Sequence, residues 1–456
     1  MIYTENIKKK IALPKDVILI INTLQYKGFE AFAVGGCIRD SLIGKTPSDW
    51  DITTSAKPQQ VRNLFVDLGY KVVDTGIKHG TVTILIQENS YEVTTYRIEG
   101  EYLDSRHPSE VFFTNKLKDD LGRRDFTINA MAYNDEQGLK DYFNGLKDME
   151  QKSIKTVGNA EHRFKEDALR ILRAVRFSTT LNYSIDEQVE DAIINSCRAL
   201  KNISVERVRE EFIKIILSNR PAYGMQKLCD LKLIEFIIPE IDEITKANKN
   251  KKNYSSIFKQ GFLMLDSLES SLPLRLSAII YTIIHVNYNY LSKYSKDNTI
   301  NSDVIARTIL KGLKFDNLTI SNTCILLKYC NINFEVHSEE AIKKFITQVG
   351  EKNLHELFSL IYANIKFGLS NNISYNNVVI LKSKCEEILK KGEPLYIKDL
   401  AIDGNDLITI GLTKGKILGE VLNYLLSCVL RDKENNKREL LIELAKKYCN
   451  LAGYQL

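Results

Sequence analysis

The sequence predicts an α+β protein: an N-terminal mixed or antiparallel β-sheet carrying helices, followed by a remainder that is almost entirely α-helical. Three observations predict it. Ala31 to Val34 (AFAV), then Gly35 and Gly36, then residues 37–43 (CIRDSLI) read as a buried strand, a glycine turn and the first turns of a helix. Residues 80–86 (GTVTILI) and 91–98 (YEVTTYRI) are rich in β-branched side chains and flank a polar turn at 87–90, the pattern of a hairpin. Beyond about residue 150, residues 166–177 (EDALRILRAVRF), 204–217 (SVERVREEFIKIIL) and 417–430 (ILGEVLNYLLSCVL) repeat apolar side chains at helical spacing.

A chain of 456 residues is too long for one ordinary core, so two to four domains are expected. Its 44% hydrophobic and 27% charged composition, with 8 Pro, is that of a globular chain, not a disordered or fibrous one. A net charge of +5 is a small excess at this length, and a mixed solvated surface accounts for it as well as an anionic partner does. The 8 Cys lie scattered without a CxxC pair, which argues against a zinc site or disulfide framework and for reduced thiols in the cytoplasm. Pro14, Lys15 and Asp16 interrupt the apolar residues after the N-terminal lysines, so export is not expected. No apolar run approaches the ~20 residues needed to span a bilayer, and no membrane partner is expected. Residues 246–256 and 287–303, rich in Asn, Lys and Tyr, read as loops between helices, and Gly392 and Pro394 mark a helix end near 390–407. Nothing in the sequence specifies an oligomeric state.

The chemistry-bearing residues begin with Asp49 and Asp51. If residues 48–53 (SDWDIT) form a strand, alternation puts both carboxylates on one face, where two hard oxygen donors suit Mg²⁺; alone, the pair is far more often just a polar loop. Gly35 and Gly36 would let backbone N–H groups approach a phosphate, with Arg39 one turn on, although a Gly-Gly pair is often only a turn. Glu92 opens a strand expected beside Asp49 and Asp51, where it reads equally as an ordinary Glu on an exposed face. Asp167 and Arg170 fall at i and i+3, where the simplest reading is an intrahelical ion pair worth ~0.3 kcal/mol, with Glu166 a rival partner for Arg170.

The Gly-Gly, Arg-Asp and DWD order, followed by HGTVTI (79–84), YEVTTYR (91–97), RRDFTINAMAY (123–133) and EDALRILRAVRF, resembles bacterial-type (class II) CCA-adding tRNA nucleotidyltransferases and poly(A) polymerases. These belong to the poly(A) polymerase/DNA polymerase beta nucleotidyltransferase superfamily. The resemblance spans roughly residues 25–220. It implies a catalytic head (1–150), a base-reading helical neck (151–220), a helical body (221–395) and a helical tail (396–456). It further implies that Asp49, Asp51 and Glu92 hold two Mg²⁺ ions for in-line attack of a primer 3′-hydroxyl on an α-phosphate. Gly35, Gly36 and Arg39 would then neutralise the triphosphate. Arg124 and Asp125 would contact phosphate and the ribose 2′-hydroxyl, and Asn129 would bind the sugar or brace its loop.

By the same resemblance Asp167 and Arg170 read the incoming base. A carboxylate accepts from the exocyclic amine of cytosine or adenine while a guanidinium donates to the neighbouring ring nitrogen; uracil and guanine present a carbonyl instead. Arg173 and Arg176 continue the spacing as candidates for phosphate or RNA, or as a solvated basic stripe. The implied substrates are CTP, ATP and tRNA, gripped at its acceptor end and, by the segment 400–430, at its elbow. By the same resemblance the loop within 96–125, which does not look shortened, favours full CCA addition over an enzyme that stops after CC; CC-only or A-only addition is the alternative reading. HGTVTI is of the CCA-adding form, which speaks against a poly(A) polymerase, and the intact acids speak against a catalytically inactive RNA-binding protein. Residues 203–212 resemble the family's helix-bracing motif, giving Glu206 and Arg207 a structural role. In residues 274–287, Tyr281 and Thr282 stand where some relatives carry adjacent His and Asp, so phosphohydrolase activity is not expected.

Overall fold

The computed structural model describes residues 10–100, 110–247, 252–291, 302–331, 338–370 and 373–452. The chain divides into two compact units, Met1–Glu243 and Ile244–Leu456. The first contains the sheet. Its strands are β1 (Ala31–Val34), β2 (Asp51–Thr54), β3 (Lys71–Gly76), β4 (Thr81–Ile86), β5 (Asn89–Thr95), β8 (Met131–Asn134) and β9 (Gly138–Asp141), with β6 (Arg97–Glu99) and β7 (Val111–Phe113) forming a separate two-stranded ribbon. The seven strands run in the order β3-β4-β5-β2-β1-β8-β9, with β2 and β5 parallel and every other pair antiparallel.

Helix α1 (Lys15–Tyr26) starts directly after Pro14 and buries Val17, Ile20, Ile21 and Leu24, one stripe of a 3.6-residue repeat, against β1 and β2. β1 is buried on both faces. Gly35, at φ +84°, turns the chain into α2 (Gly36–Leu42), followed by α3 (Pro58–Asp67) after β2. On the other sheet face Phe32 and Val34 join Tyr96, Leu117, Leu121, Ala130, Ala132 and Val157 in one cluster, with Leu117 and Leu121 supplied by α4 (Leu117–Gly122). α5 (Gly145–Glu150) backs the loop at 127–129. Then come α6 (Ala160–Glu166), α7 (Leu169–Leu181), α8 (Glu187–Ser196), α9 (Val205–Ile216) and α10 (Pro221–Asp230), with α7 packed on α9 and α10.

The expected elements at 31–34, 80–86, 204–217 and 417–430 are present, and three expectations need correction. β2 begins at Asp51, not at Ser48, because its partner β1 ends at Val34, the residue paired with Asp51. The strand expected over 91–98 stops at Thr95: Tyr96 is fully buried, and Arg97 leaves the sheet to pair with Phe113. The helix expected over 166–177 breaks at Asp167, whose backbone is extended (φ −140°, ψ 106°) while its carboxylate accepts the Leu169 N–H at 3.0 Å. An Asp side chain here offers the backbone a local alternative to the helix.

The second unit is helical: Lys252–Leu265, Leu272–Leu291, Ser302–Gly312, Asn317–Tyr329, Glu339–Val349, Glu351–Lys366, Tyr375–Lys391, Gly404–Thr409, Lys416–Arg431 and Arg438–Ala452 are its longer elements. Helices thus extend into both stretches read as loops, over 252–256 and 287–291; the rest of those stretches, apart from 246–247 and 302–303, lies outside the described residues. Tyr281 is buried here, its hydroxyl donating to Asn331 Oδ1 at 2.8 Å and lying 3.2 Å from the Leu369 carbonyl oxygen.

Gly145 has no room for a side chain: a β-carbon would overlap the Thr127 carbonyl oxygen and stand 2.9 Å from its carbonyl carbon. Backbone cannot yield as a side chain can, so Gly145→Ala should destabilise the protein by about 2 kcal/mol, measured by denaturant unfolding. An unchanged midpoint would show that α5 does not brace the 127–129 loop.

Candidate functional site

Side-chain alternation and strand register build the floor of the site. Phe32 pairs with Thr53 and Val34 with Asp51 across β1 and β2, while Ile52 pairs with Val93 on β5. Asp51 therefore stands beside Glu92 on the same sheet face, with Thr53 and Thr94 behind them. Thr83 on β4 is opposite Glu92, and Thr81 and Thr94 share a hydroxyl contact of 3.0 Å. Asp49 precedes the strand and accepts from the Ser48 hydroxyl at 3.0 Å. All three acids are solvent-accessible.

Their charges oppose one another. Crowding by protein raises the Asp51 pKa above the usual carboxylate range, with the Arg124 guanidinium lowering it and Asp49 raising it again. Glu92 is raised by desolvation, then by Asp51 and Asp49. Cys37, near Asp51, has its thiol pushed up to about 11 by burial and by that carboxylate, so it remains protonated and inert at neutral pH.

Beside the floor lies a dense network of buried charge. A β-carbon on Gly35 would stand 2.8 Å from Arg124 Nη1, so the glycine is what lets that guanidinium lie against the turn. Arg124 is also 3.8 Å from Asp120, and its Nε is buried without a hydrogen-bond partner among the described residues. Asp120 is fully buried; it binds Arg123 at 2.9 Å and accepts from the Thr53 hydroxyl at 3.0 Å. Burial works against its charge, but Arg123 and Arg124 hold its pKa below the ordinary value.

Arg39 does not project freely toward a ligand. It is buried, forks onto Asp40 through two hydrogen bonds of 2.9 Å and donates to Asn129 Oδ1 at 2.5 Å. Asn129 in turn donates to Asp125, whose other oxygen takes Arg173 through Nε at 2.7 Å and Nη2 at 2.6 Å. Burial would raise the Asp125 pKa; Arg173, Arg170 and these hydrogen bonds hold it instead at about 2. Arg176 pairs with the buried Glu211 on α9 at 3.2 Å. The guanidiniums of Arg39, Arg173 and Arg176 surround the Phe177 ring at 5.0, 5.3 and 4.2 Å. Arg173 and Arg176 are thus not a solvated stripe; ion pairs draw them inward.

The expected Asp167–Arg170 side-chain pair does not form. Asp167 accepts from Arg207 Nη2 at 2.8 Å, reaching α9, whereas Arg170 binds Glu166 and donates to the carbonyls of Arg163 and Arg123, both at 3.2 Å. The break at Asp167 separates the two side chains and gives each its own brace. Sequence reasoning missed Asp120 and Glu211; Asp120 was visible in its i+3 and i+4 spacing to Arg123 and Arg124, while Glu211 carried no local signal.

Residues 31–155 match the family model of the poly A polymerase head domain, 182–245 that of an RNA and SrmB-binding site of polymerase A, and 298–445 that of tRNA nucleotidyltransferase domain 2. The chain is 32% identical over 436 residues to the CCA-adding enzyme of Ligilactobacillus salivarius, covering 95% of this chain and 96% of that protein. It is 35% identical over 420 residues to the CCA-adding enzyme of Lactobacillus helveticus, covering 91% and 93%. The crystal structure of the Bacillus stearothermophilus CCA-adding enzyme in complex with CTP superposes with a TM-score of 0.70 at 25% identity, covering 96% and 98%.

The sheet, the acidic floor and the matched head define a nucleotidyltransferase. The chain belongs to the family of CCA-adding enzymes.

Membership implies a divalent metal cofactor, and the donor set fits one: adjacent hard oxygen donors whose mutual repulsion a dication relieves. Among the described residues no three or more His, Cys, Asp or Glu side chains are gathered closely enough to hold a metal ion, Asp49, Asp51 and Glu92 included. The raised pKa values also carry a stability prediction. Between the unfolded value of about 3.9 and the raised folded value, native Asp51 binds more protons than the unfolded chain, so stability falls as pH rises through that window. Asp51→Asn should therefore melt higher than wild type at pH 7 in chelator, with the difference fading toward pH 4. Added divalent metal should raise the wild-type melting temperature more than the variant's. A variant that melts lower at pH 7 would refute this electrostatic reading.

Proposed function

We propose that this chain completes the 3′ end of tRNA, adding C, C and A from CTP and ATP without a nucleic-acid template and releasing pyrophosphate. The observation that carries the reading is the match along nearly the whole chain to CCA-adding enzymes, joined to a sheet face on which Asp51 and Glu92 are neighbours. Asp49, Asp51 and Glu92 would hold two Mg²⁺ ions, which supply Lewis acidity to the α-phosphate and lower the pKa of the attacking 3′-hydroxyl. Gly35, Gly36 and Arg124 face the triphosphate. The unpartnered Arg124 Nε and the bare turn at Gly35 support that role. Arg39, Asp125, Asn129 and Arg173 are committed to one another and Arg176 to Glu211, and we assign them to holding this loop in place.

Asp167 and Arg170 read the base. Each Asp167 oxygen carries one hydrogen bond and keeps a lone pair for an exocyclic amine, and Arg170 retains donors beyond those given to Glu166, Arg163 and Arg123. Discrimination against uracil and guanine then comes from acceptors forced to face acceptors. The head, neck, body and tail occupy 1–150, 151–220, 221–395 and 396–456, the tail holding the tRNA elbow. Among the described residues no helix is long and apolar enough to cross a membrane; we place the enzyme in the cytoplasm.

Incubating the protein with tRNA ending at its discriminator base, with CTP, ATP and both, then sequencing the products, tests the function. CCA is expected; sustained ATP-only tailing would make the chain a poly(A) polymerase, and a stop at CC a partial enzyme. Asp49→Ala and Asp51→Ala should abolish incorporation while tRNA binding persists, and full activity in either would remove the metal assignment. Arg207→Ala should raise the KM for CTP roughly tenfold by freeing Asp167 from a charged hydrogen bond. An unchanged KM would separate Arg207 from base reading.

A further inference from the structure

We propose that the ribbon of β6 and β7 is a stacking surface for the unpaired 3′ end of the RNA acceptor. The inference rests on the tRNA reading above and deepens it by saying where the acceptor strand lies. Ile98 and Phe112 are register partners across the ribbon, so their side chains share one of its faces. They are 45% and 55% exposed. Two exposed apolar side chains are ordinary for a protein surface, and what singles these out is the charge around them. Phe113, alternating to the other face, rests one ring edge on Gly80, where a β-carbon would stand 2.9 Å from its Cε1, and is itself 41% exposed.

Charge and continuity name the occupant. Lys78, just before Gly80, and Lys116 and Lys118, just after β7, are all exposed. Aromatic faces among lysines suit single-stranded nucleic acid, whose bases stack while its phosphates follow the cations. The ribbon also continues from β5, the strand bearing Glu92. The Arg97 N–H donates to Asp120 at 3.4 Å, and that carboxylate also lies beside Arg124. Arg97 is five residues beyond Glu92, at most about 17 Å along an extended chain and the reach of roughly five stacked nucleotides. Stacking is indifferent to sequence because every base has a π-face. One surface therefore serves an acceptor whose last nucleotide changes with each addition.

The test uses the full-length protein, tRNA ending at its discriminator base, and the variants Phe112→Ala, Phe112→Leu and Phe112→Trp. The Ala and Leu variants should raise the KM for tRNA about tenfold, Trp should preserve it, and the KM for CTP and the melting temperature should stay at wild-type values. An unchanged tRNA KM in the Ala variant would overturn the proposal, and so would full retention by Leu, which marks plain apolar contact. Wild-type protein that extends no tRNA would instead overturn the functional reading. Active wild type with an insensitive Ala variant overturns the stacking surface alone.

Discussion

The catalytic half of this protein depends on one buried ion pair, Asp125 with Arg173. It joins the loop after α4 to helix α7, and through Asn129 it extends to Arg39 and the Gly35 turn. A carboxylate buried this deeply is tolerated only when its charge is met by fixed partners. Removing one partner from such a pair typically costs about 3–5 kcal/mol, because the other charge is left stranded. The pair therefore specifies a geometry more than it adds stability: the loop that carries Arg124 has one place to be. Asp120 repeats the device one helical turn earlier, holding Arg123 and Arg124 while accepting from Thr53 on the sheet.

Against this compensated framework, the acids on the sheet floor are under-compensated. Asp125 and Asp51 are the same residue type in the same half of the molecule, yet guanidiniums hold one pKa near 2 while crowding and neighbouring acids push the other up. A dication would resolve the conflict on the floor, where Arg124 is the positive charge that lowers the Asp51 pKa. Asp167 and Arg170, which we propose read the base, follow a third pattern. Arg170 is buried and Asp167 is not, and neither relies on the other: α9 steadies the acid, and the end of α6 steadies the guanidinium.

Much of this was legible in local pattern. The glycine turn, the hairpin strands and the amphipathic helices are set by interactions within a few residues, so periodicity and turn chemistry reveal them. What failed were features determined by partners distant along the chain. β2 starts late because β1 ends, and residues 166–177 do not form one helix because Asp167 turns to cap Leu169 and meet Arg207, forty residues away. Arg173 and Arg176 looked like surface charge for the same reason. Their partners Asp125 and Glu211 lie 48 and 35 residues off, where no spacing rule reaches.

By itself, then, the sequence determined the class of fold and presented the acids and glycines to which we assign the chemistry, while alternation set which residues of each strand share a face. Only the tertiary structure decided which arginines are free to meet a ligand and which are spent on buried acids. The physical reason is that a side chain's type is local, whereas the partner that neutralises or exposes its charge is chosen by packing between elements far apart in the chain.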